Sequence, residues 1–575
     1  MEPVPPIVSQ LHKALTDKFR SKQALDSDSV DDPLEAARLS LDKEIEVAEL
    51  AFRAYEAYSL HELEVLRLRR NRLAPIFHLP NETLSSAFCF AVWSYDKYTR
   101  GIQFLLTISS VCRAWRGIAL EFPKLWTRLE WLPLLLFSLF LDRSKQAPLD
   151  IVFDKEYEPP EGNNFSEYLA LISPHVRQWK TFIFRYPSFD EIMPSLLLPT
   201  PHLEALVLDC GPRSRFQGSD SLELFPHPFA DHTPSLRKLT LGAIFVPFTH
   251  PIYSNLTKLE LKDIECEKLD LMRELFQVFS EASPLLETLH LRSLEFTFSS
   301  TAGPSDSADL PRLQTLGLQY LEPAWVTTHF LSHLTIPPSA TLEIIGDSEL
   351  GGDISTILPP YSSTHPNLPN LSSITALIIH AQEYLCVVSG HTVQKELFSF
   401  EFTADPEVQM AAIVSDLGRV FPMPLLNYIQ FCDFHLGDSV ESNLELAATC
   451  RDFLNRRSTI KKLAFYDSHK SMLDFLFTST PPLVCPQLEY IIFERCPLSP
   501  ERLIEAVKSR TTSRKTALKG ADAQNDNGSE ANDRRLLRVD ILGCPRFTKA
   551  HLSALRKRVR VEYKEKAPRF SDESE

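Results

Sequence analysis

Apolar residues near the start of the chain repeat with the spacing of a helix. They lie 4, 3, 4 and 3 residues apart, which is the heptad spacing of a coiled-coil seam. The residues of this seam are Leu41, Ile45, Ala48, Phe52 and Tyr55. No glycine or further proline interrupts the chain from Pro33 to Leu73. We therefore predict one long amphipathic helix over residues 34–74. It either pairs with its copy in a homodimer through residues 36–73 or folds back onto the next domain.

The apolar pattern of residues 75–130 predicts a domain of three short helices. Asn81 is a favourable N-cap for the first helix. The apolar face of that helix is formed by Leu84, Phe88 and Val92. The second helix carries Leu105, Ile108, Val111, Cys112 and Trp115. A third segment follows at Phe122 and Trp126. So small a core is marginal alone, and we expect a partner to complete it.

From about residue 145 the pattern changes to short β-like runs between proline-rich turns. Eleven runs fit L-x-x-L-x-L with apolar substitutes. They begin at Trp179, Leu203, Leu236, Leu256, Leu286, Leu313, Ile374, Leu426, Ile460, Leu488 and Leu536. The first five intervals are 24, 33, 20, 30 and 27 residues, close to the leucine-rich-repeat period of about 20–29 residues. In six copies a proline, which suits entry to a strand, stands two positions before the first apolar residue.

These runs predict an α/β fold in which residues 145–560 form an irregular leucine-rich-repeat-like solenoid. In the last two copies, Cys496 and Cys544 occupy the position that this pattern gives to Asn or Cys, and a helix-like run follows each. The pattern is ambiguous between Leu318 and Ile374, and we interpret residues 380–425 as inserted loops or helices. How many repeats lie between 320 and 425 stays open.

Three polar segments without apolar periodicity are predicted to be disordered. These are the N-terminus over residues 1–33, an insert over 509–535 and the tail over 564–575. The first contains an acidic run over 26–32, and the tail ends in another over 571–575.

Overall charge and cysteine usage restrict the class of protein. The net charge is −15, from 60 Lys and Arg against 75 Asp and Glu, which argues against a nucleic-acid partner. The ten cysteines form no C-x-x-C pair, which indicates reduced thiols in a cytoplasmic or nuclear protein. No signal peptide is expected, and the most apolar stretch, Trp131–Leu141, is too short to cross a membrane.

Sequence motifs for bond chemistry are missing, so we expect no enzyme, cofactor or metal. The chain contains no G-x-G-x-x-G, G-x-x-x-x-G-K-[ST], H-E-x-x-H or G-x-S-x-G. His227 and His232 form the closest histidine cluster, without the further ligands of a metal site.

One constellation in residues 79–126 carries a resemblance to a known family. Leu79, Pro80, Glu82 and Leu84, followed after a spacer by V-C-x-x-W over 111–115 and by P-K-L-W over 123–126, resemble the F-box. The order of helix, F-box-like domain and repeats is similar to fungal F-box proteins of the basidiomycete type with C-terminal leucine-rich repeats.

The resemblance implies a substrate-receptor subunit of a Skp–cullin–F-box ubiquitin ligase. The F-box would dock on a Skp-type adaptor, and through it on a cullin, while the repeats would hold an unidentified protein substrate. The adaptor-binding residues carried over by motif are Leu79, Pro80, Leu84, Phe88, Ile108, Val111, Cys112 and Trp115. The same residues could instead be only the internal core of the helical domain.

The alternative function is a leucine-rich scaffold that dimerises through its N-terminal helix and has no ligase role. In either case, the substrate-facing side of the repeats is expected at the positions between the apolar residues. Those singled out are Glu204, Arg237, Lys238, Lys258, Glu260, Glu287 and Arg312. Their mixed charges identify no partner.

Overall fold

The protein is described by a computed structural model, which divides into two compact units, Met1–Leu125 and Trp126–Glu575. The described residues are 10, 13–18, 20–21, 33–94, 98–154, 164–185, 192–211, 223–225, 227–297, 306–347, 367–382, 385–403, 410–415, 417, 423–434, 440–468, 470, 476, 484–511 and 536–565. Most of the predicted disordered residues lie outside these ranges. Within the first segment, residues 13–18 are helical.

Helices make up the described part of the first unit. They are α1 Pro33–Arg72, α2 Asn81–Trp93, α3 Tyr98–Val111 and α4 Arg113–Glu121. Helix α1 corresponds to the predicted long helix, and three arginines in its last turn complement the negative end of the helix dipole. Helices α2 and α3 approach closely where Gly101 meets Val92, since a Cβ at Gly101 would lie 3.0 Å from the Val92 carbonyl oxygen.

Two local predictions in this unit are wrong. Asn81 is the first helical residue instead of the N-cap, a position that Pro80 occupies. The predicted second helix is also broken at Cys112, which is extended with φ −160° and ψ 169°. The Cys112 sulfur accepts a hydrogen bond from the Trp115 backbone N–H at 3.4 Å. Cys112 thus caps α4, which is why Val111 and Trp115 belong to different helices.

The second unit is mixed α/β. Its helices are α5 Leu134–Ser144, α6 Phe165–Ile172, α7 Leu269–Gln277, α8 Trp325–His333, α9 Pro369–Ser372, α10 Val440–Asn455, α11 Pro500–Thr511 and α12 Lys549–Arg556. Its strands are β1 Arg128–Leu129, β2 Leu149–Asp154, β3 Trp179–Arg185, β4 Ala205–Asp209, β5 Glu223–Leu224, β6 Lys238–Gly242, β7 Ile244–Phe245, β8 Lys258–Cys266, β9 Thr288–Phe296, β10 Ala308–Asp309, β11 Thr315–Gln319, β12 Leu334–Thr335, β13 Thr341–Asp347, β14 Ala376–Gln382, β15 Leu385–His391, β16 Glu396–Thr403, β17 Tyr428–Cys432, β18 Lys462–Tyr466, β19 Tyr490–Glu494, β20 Arg538–Leu542 and β21 Arg560–Lys564.

Seventeen of these strands form one large, mostly parallel sheet. From β1 to β13 each strand of the sheet pairs in parallel with the next one along the chain, and the same holds from β17 to β21. Between these runs, β15 pairs antiparallel with both β14 and β16. Two short parallel pairs, β5–β7 and β10–β12, lie apart from the large sheet.

The register places equivalent apolar residues of successive motif copies opposite one another. Leu208, Leu241, Leu261, Leu291 and Leu318 are consecutive partners across five strands. All five are at most 1% exposed. Since side chains alternate between the two faces of a strand, the residues between them point to the opposite, more accessible face. The apolar residues of successive L-x-x-L-x-L copies thus form one continuous buried face of the sheet.

A left-handed residue recurs at one register position of the large-sheet strands. It directly follows the last residue of β6, β11, β17, β18, β19 and β20, and it lies inside the longer strands β8 and β9. These residues, with φ between 44° and 62°, are Ala243, Asp263, Ser293, Tyr320, Asp433, Asp467, Arg495 and Gly543. Three of them are Asp, which tolerates this conformation because its short side chain can hydrogen-bond locally.

The interpretation of residues 380–425 as loops or helices is wrong for much of that segment. Strands β14, β15 and β16 lie there, and β13 lies in the stretch that the motif leaves ambiguous. Alternate residues of β15 are buried, among them Cys386 and Val388, and β16 buries Phe398, Phe400 and Phe402. Buried residues in β15 and β16 therefore recur with a period of two, as in an antiparallel hairpin. A search for L-x-x-L-x-L does not detect this spacing.

Candidate interaction surfaces

The turn before α2 and the turn after α3 lie at one end of the helical unit. Helices α2 and α3 run antiparallel, because the end of α2 meets the start of α3 at Val92 and Gly101. Leu79 and Pro80 are exposed at this end, and Val111 is 52% exposed. We call Leu79, Pro80 and Val111 the exposed motif end.

Aromatic packing holds this end together. The Trp115 ring lies 4.9 Å from the Phe88 ring and 6.4 Å from the Phe77 ring, measured between centroids. Phe77 belongs to the short 3-10 turn Pro75–His78, which leads directly into Leu79. The two halves of the F-box-like motif, 32 residues apart from Leu79 to Val111, are thereby brought to one surface.

Three of the predicted adaptor-binding residues are core residues instead. Leu84, Phe88 and Ile108 are 3%, 5% and 2% exposed. In this conformation they cannot be direct contacts of a partner, because their side chains are already covered. Cys112 and Trp115 are partly buried, and they position the exposed motif end through the α4 cap and the aromatic contacts.

Sequence reasoning missed exposed apolar residues on other faces of the same helices. Phe90 is 78% exposed, and Trp93 and Leu106 are about half exposed. The segment F-C-F-A-V-W over 88–93 is apolar on more than one face of α2. A single buried stripe on α2 explains Phe88 and Val92, but it does not explain the apolar residues on the other faces of the helix.

The heptad seam of α1 is mostly accessible. Leu41, Ile45 and Phe52 are all more than half exposed, whereas Val47 and Ala51 are buried. Further along the helix, Glu64 accepts a 2.9 Å charged hydrogen bond from Arg113 at the start of α4. The distal part of α1 thus contacts the helical domain, while its seam presents apolar side chains.

The accessible face of the large sheet is charged on its first half. Lys262 lies 3.0 Å from Glu260 and 3.6 Å from Asp209, and Lys258 lies 3.2 Å from Glu260. Burial alone would raise the pKa of Glu260, but the two lysines outweigh it and the pKa is lowered. Gly242 lies between Asp209 and Lys262 in the register, and a Cβ there would come within 2.7 Å of the Asp209 carboxylate.

On the second half, the equivalent face carries two tyrosines and three cationic residues. Tyr428, Lys462, Tyr490, Arg538 and Arg560 are consecutive partners across β17 to β21. We call these five residues the tyrosine–cation row. Among the positions singled out from sequence, Lys258 and Glu260 lie on the first-half face, but no residue of the tyrosine–cation row was singled out.

Acidic residues flank this row. Arg538 donates to Asp540 at 2.7 Å and to Glu562 at 2.7 Å, and the Tyr490 hydroxyl donates to Asp540 at 2.5 Å. Burial and the nearby Asp540 raise the pKa of Tyr490, so the phenol stays protonated. Directly after the end of β19, Arg495 forms ion pairs with both Asp467 and Glu494.

Two cysteines of the last repeats and two histidines near Asp231 have defined neighbours. Burial raises the pKa of Cys496 to about 12 and that of Cys544 to about 11, and the Cys496 thiol faces the Phe465 carbonyl oxygen at 3.4 Å. His227 contacts Asp231, as does His250 at 2.7 Å. In the described part of the chain, no group of three His, Cys, Asp or Glu side chains could hold a metal ion.

Two further features of the chain concern the membrane and known protein families. None of the helices in the described ranges is long and apolar enough to cross a membrane. The chain matches no protein-family model and no curated protein. Its function is therefore inferred from its own residues and their geometry.

Proposed function

We propose that the chain is a substrate-receptor subunit of a Skp–cullin–F-box type ubiquitin ligase, acting in the cytoplasm or nucleus. The first unit would be an F-box that docks on a Skp-type adaptor, and the second a leucine-rich-repeat solenoid that holds the target. The chain itself would perform no bond chemistry. It would raise the local concentration of target near the transferring enzyme, as linked binding sites do.

The observation that carries this proposal is the exposed motif end. Leu79, Pro80 and Val111 come from separate helical turns, yet they present apolar surface together at one end of the unit. Complete burial of a fully exposed leucine or valine side chain contributes about 1.5–3 kcal/mol. Leu79 and Val111 are 42% and 52% exposed, so covering each would contribute about half of that. A partner that covers this end would therefore gain affinity without displacing the core residues Leu84 and Phe88 beneath it.

The second unit supports the role of a target-binding platform. Its parallel strands keep one face apolar and buried, so the other face presents rows of polar and aromatic side chains at fixed spacing. A rigid surface of this kind loses little conformational entropy on binding.

Binding of a purified Skp-type adaptor to the full chain tests the proposal. Leu79→Asp and Val111→Asp are each expected to weaken binding about tenfold or more, because each places an unpaired charge in the interface. Leu135→Asp and Val393→Asp are matched controls, since these side chains are 88% and 97% exposed in the second unit. The proposal is wrong if the folded wild-type chain does not bind, or if the control substitutions weaken binding equally.

A second candidate function rests on the accessible seam of α1. A non-enzymatic scaffold that dimerises through residues 36–73 would cover Leu41, Ile45 and Phe52 with the same residues of a second copy. Light scattering after size-exclusion chromatography would then give a dimer, which Ile45→Glu with Phe52→Glu converts to a monomer. A monomeric wild-type chain would remove this candidate.

A further inference from the structure

The tyrosine–cation row forms a continuous accessible line across five neighbouring strands. Its members are direct partners in the register, and the alternate residues of β17 to β20 are buried. Strands lie about 4.8 Å apart. Lys462 and Arg560, three strands apart, are therefore separated by about 14 Å along the line.

Aromatic rings contact two cations of the row, Lys462 and Arg538. The Lys462 ammonium lies 4.1 Å from the Tyr428 ring centroid and 5.2 Å from the Tyr490 ring centroid. The Arg538 guanidinium lies 4.9 Å from the same Tyr490 ring centroid. Cation–π contacts of this length orient a long side chain without neutralising its charge. Lys462 is thus preorganised between two tyrosines.

The three cations of the row differ in whether a carboxylate neutralises their charge. Arg538 is paired with Asp540 and Glu562. Lys462 and Arg560, in contrast, pair with no carboxylate among the residues that the structure describes. Burial, together with the positive charge of Arg538, lowers the pKa of Lys462 although Asp540 opposes it. An added anion would supply the negatively charged partner that Lys462 lacks among the described residues.

We propose that the tyrosine–cation row binds an acidic peptide segment of the target protein, with one carboxylate on Lys462 and a second on Arg560. This inference rests on the proposed function, because it names the class of target that the second unit holds. An extended peptide advances about 3.3 Å per residue. A separation of about 14 Å therefore selects two acidic residues with three residues between them.

The neighbouring acidic residues favour a peptide over a nucleic acid. Asp540 and Glu562 follow Arg538 and Arg560 by two positions on the same face. A continuous polyanion along the row would be repelled by them, whereas two separated carboxylates reach the two unpaired cations. The net charge of −15 also opposes a nucleic acid.

Fluorescence polarisation with two synthetic peptides on the full chain tests this site. The probes are labelled Gly-Glu-Ala-Gly-Ala-Glu-Gly and the same peptide with Gln in place of both Glu. The wild-type chain is expected to bind the Glu peptide about fivefold more tightly than the Gln peptide at low salt. Lys462→Met with Arg560→Met is expected to reduce this preference to about twofold or less. Lys258→Met, which removes a lysine already paired with Glu260, is the matched control and keeps the preference.

Several results would overturn the inference. One is an equal affinity of the wild-type chain for the two peptides, and another is a preference that persists in the folded double variant, checked by circular dichroism. A chain ending at Glu565 that bound the Glu peptide about fivefold more tightly than the full chain would identify the acidic end of this chain as the occupant. Adaptor binding is measured on the same samples, so failure of this site with adaptor binding intact refutes this inference and leaves the proposed function standing.

Discussion

The two halves of the large sheet share one register but differ on both faces. In the first half, β3 to β13, leucines form the buried ladder from β4 to β11, and ion pairs of Glu260 with Lys258 and Lys262 lie on the accessible face. In the second half, β17 to β21, Phe431, Phe465 and Phe493 stack inside and the tyrosine–cation row lies outside. On the accessible face of the first half, Lys258 and Lys262 both pair with Glu260, whereas in the second half Lys462 and Arg560 pair with no carboxylate among the described residues.

This difference shows that the accessible face varies within one repeating backbone while the buried face stays apolar. Both halves make the same parallel pairing and carry a left-handed residue at the equivalent register position. The stability of the sheet therefore depends on the buried ladder, and the residues between the ladder positions are free to vary. Function can be placed on such positions without loss of fold.

The largest expected effect comes from the buried face of the second half. The Phe465 ring stacks between Phe431 and Phe493 with centroid distances of 5.3 and 5.7 Å. Phe465→Ala is expected to lower the free energy of unfolding by about 3–5 kcal/mol, through lost burial and an unfilled cavity. Leu291→Ala, at the equivalent ladder position of the first half, is the comparison, with an expected loss of about 2–5 kcal/mol. Urea unfolding followed by circular dichroism measures both. The lowest expected loss for Phe465→Ala is about 3 kcal/mol, so a measured loss below about 1 kcal/mol would contradict the assignment of this stack to the core.

A smaller, pH-dependent effect is expected in the first half, in helix α8. His329 is 8% exposed, and its Nε2 has no hydrogen-bond partner among the residues described. Burial, and secondly the neighbouring His333, lowers the pKa of His329 to about 4. Because the unfolded value is about 6.5, the unfolded chain binds the proton first. This contribution to stability is complete above pH of about 6.5 and is lost as the pH falls towards about 4.

Thermal melts across this pH range measure the effect of His329. His329→Leu is expected to flatten the decline, because the substitution removes the titrating group. His202→Leu is the control, as His202 is an exposed histidine of the same unit. An unchanged slope in His329→Leu would show that other groups cause the acid sensitivity.

The smallest expected effect concerns the accessible faces. Lys258→Met breaks a 3.2 Å pair with Glu260 and is expected to lower the free energy of unfolding by less than about 1 kcal/mol. That loss should shrink at high salt, because added ions screen an exposed pair. Lys462→Met is expected to show no comparable dependence on salt, since Lys462 has no described carboxylate to lose. Equal salt dependence in the two variants would remove the distinction between the halves.

Local sequence pattern was sufficient for α1 and for most strands of the large sheet. The uninterrupted heptad spacing predicts the helix that runs from Pro33 to Arg72, and the L-x-x-L-x-L copies predict which residues are buried. Both signals work because burial repeats with the period of the local backbone. The hairpin of β15 and β16 escaped this reasoning because its period of two differs from the repeating motif. The break at Cys112 escaped it because a cap depends on backbone geometry that apolar spacing does not report.

The candidate surfaces depended on the tertiary structure. Sequence named Leu79, Leu84 and Val111 as one class, but only the packing of α2 against α3 separates the exposed Leu79 and Val111 from the buried Leu84. Neighbours in the tyrosine–cation row are 34, 28, 48 and 22 residues apart along the chain. The apolar ladder can be predicted from sequence, because its spacing is local. The accessible side chains that meet are set by the parallel register, which joins residues whose separation in sequence varies from turn to turn.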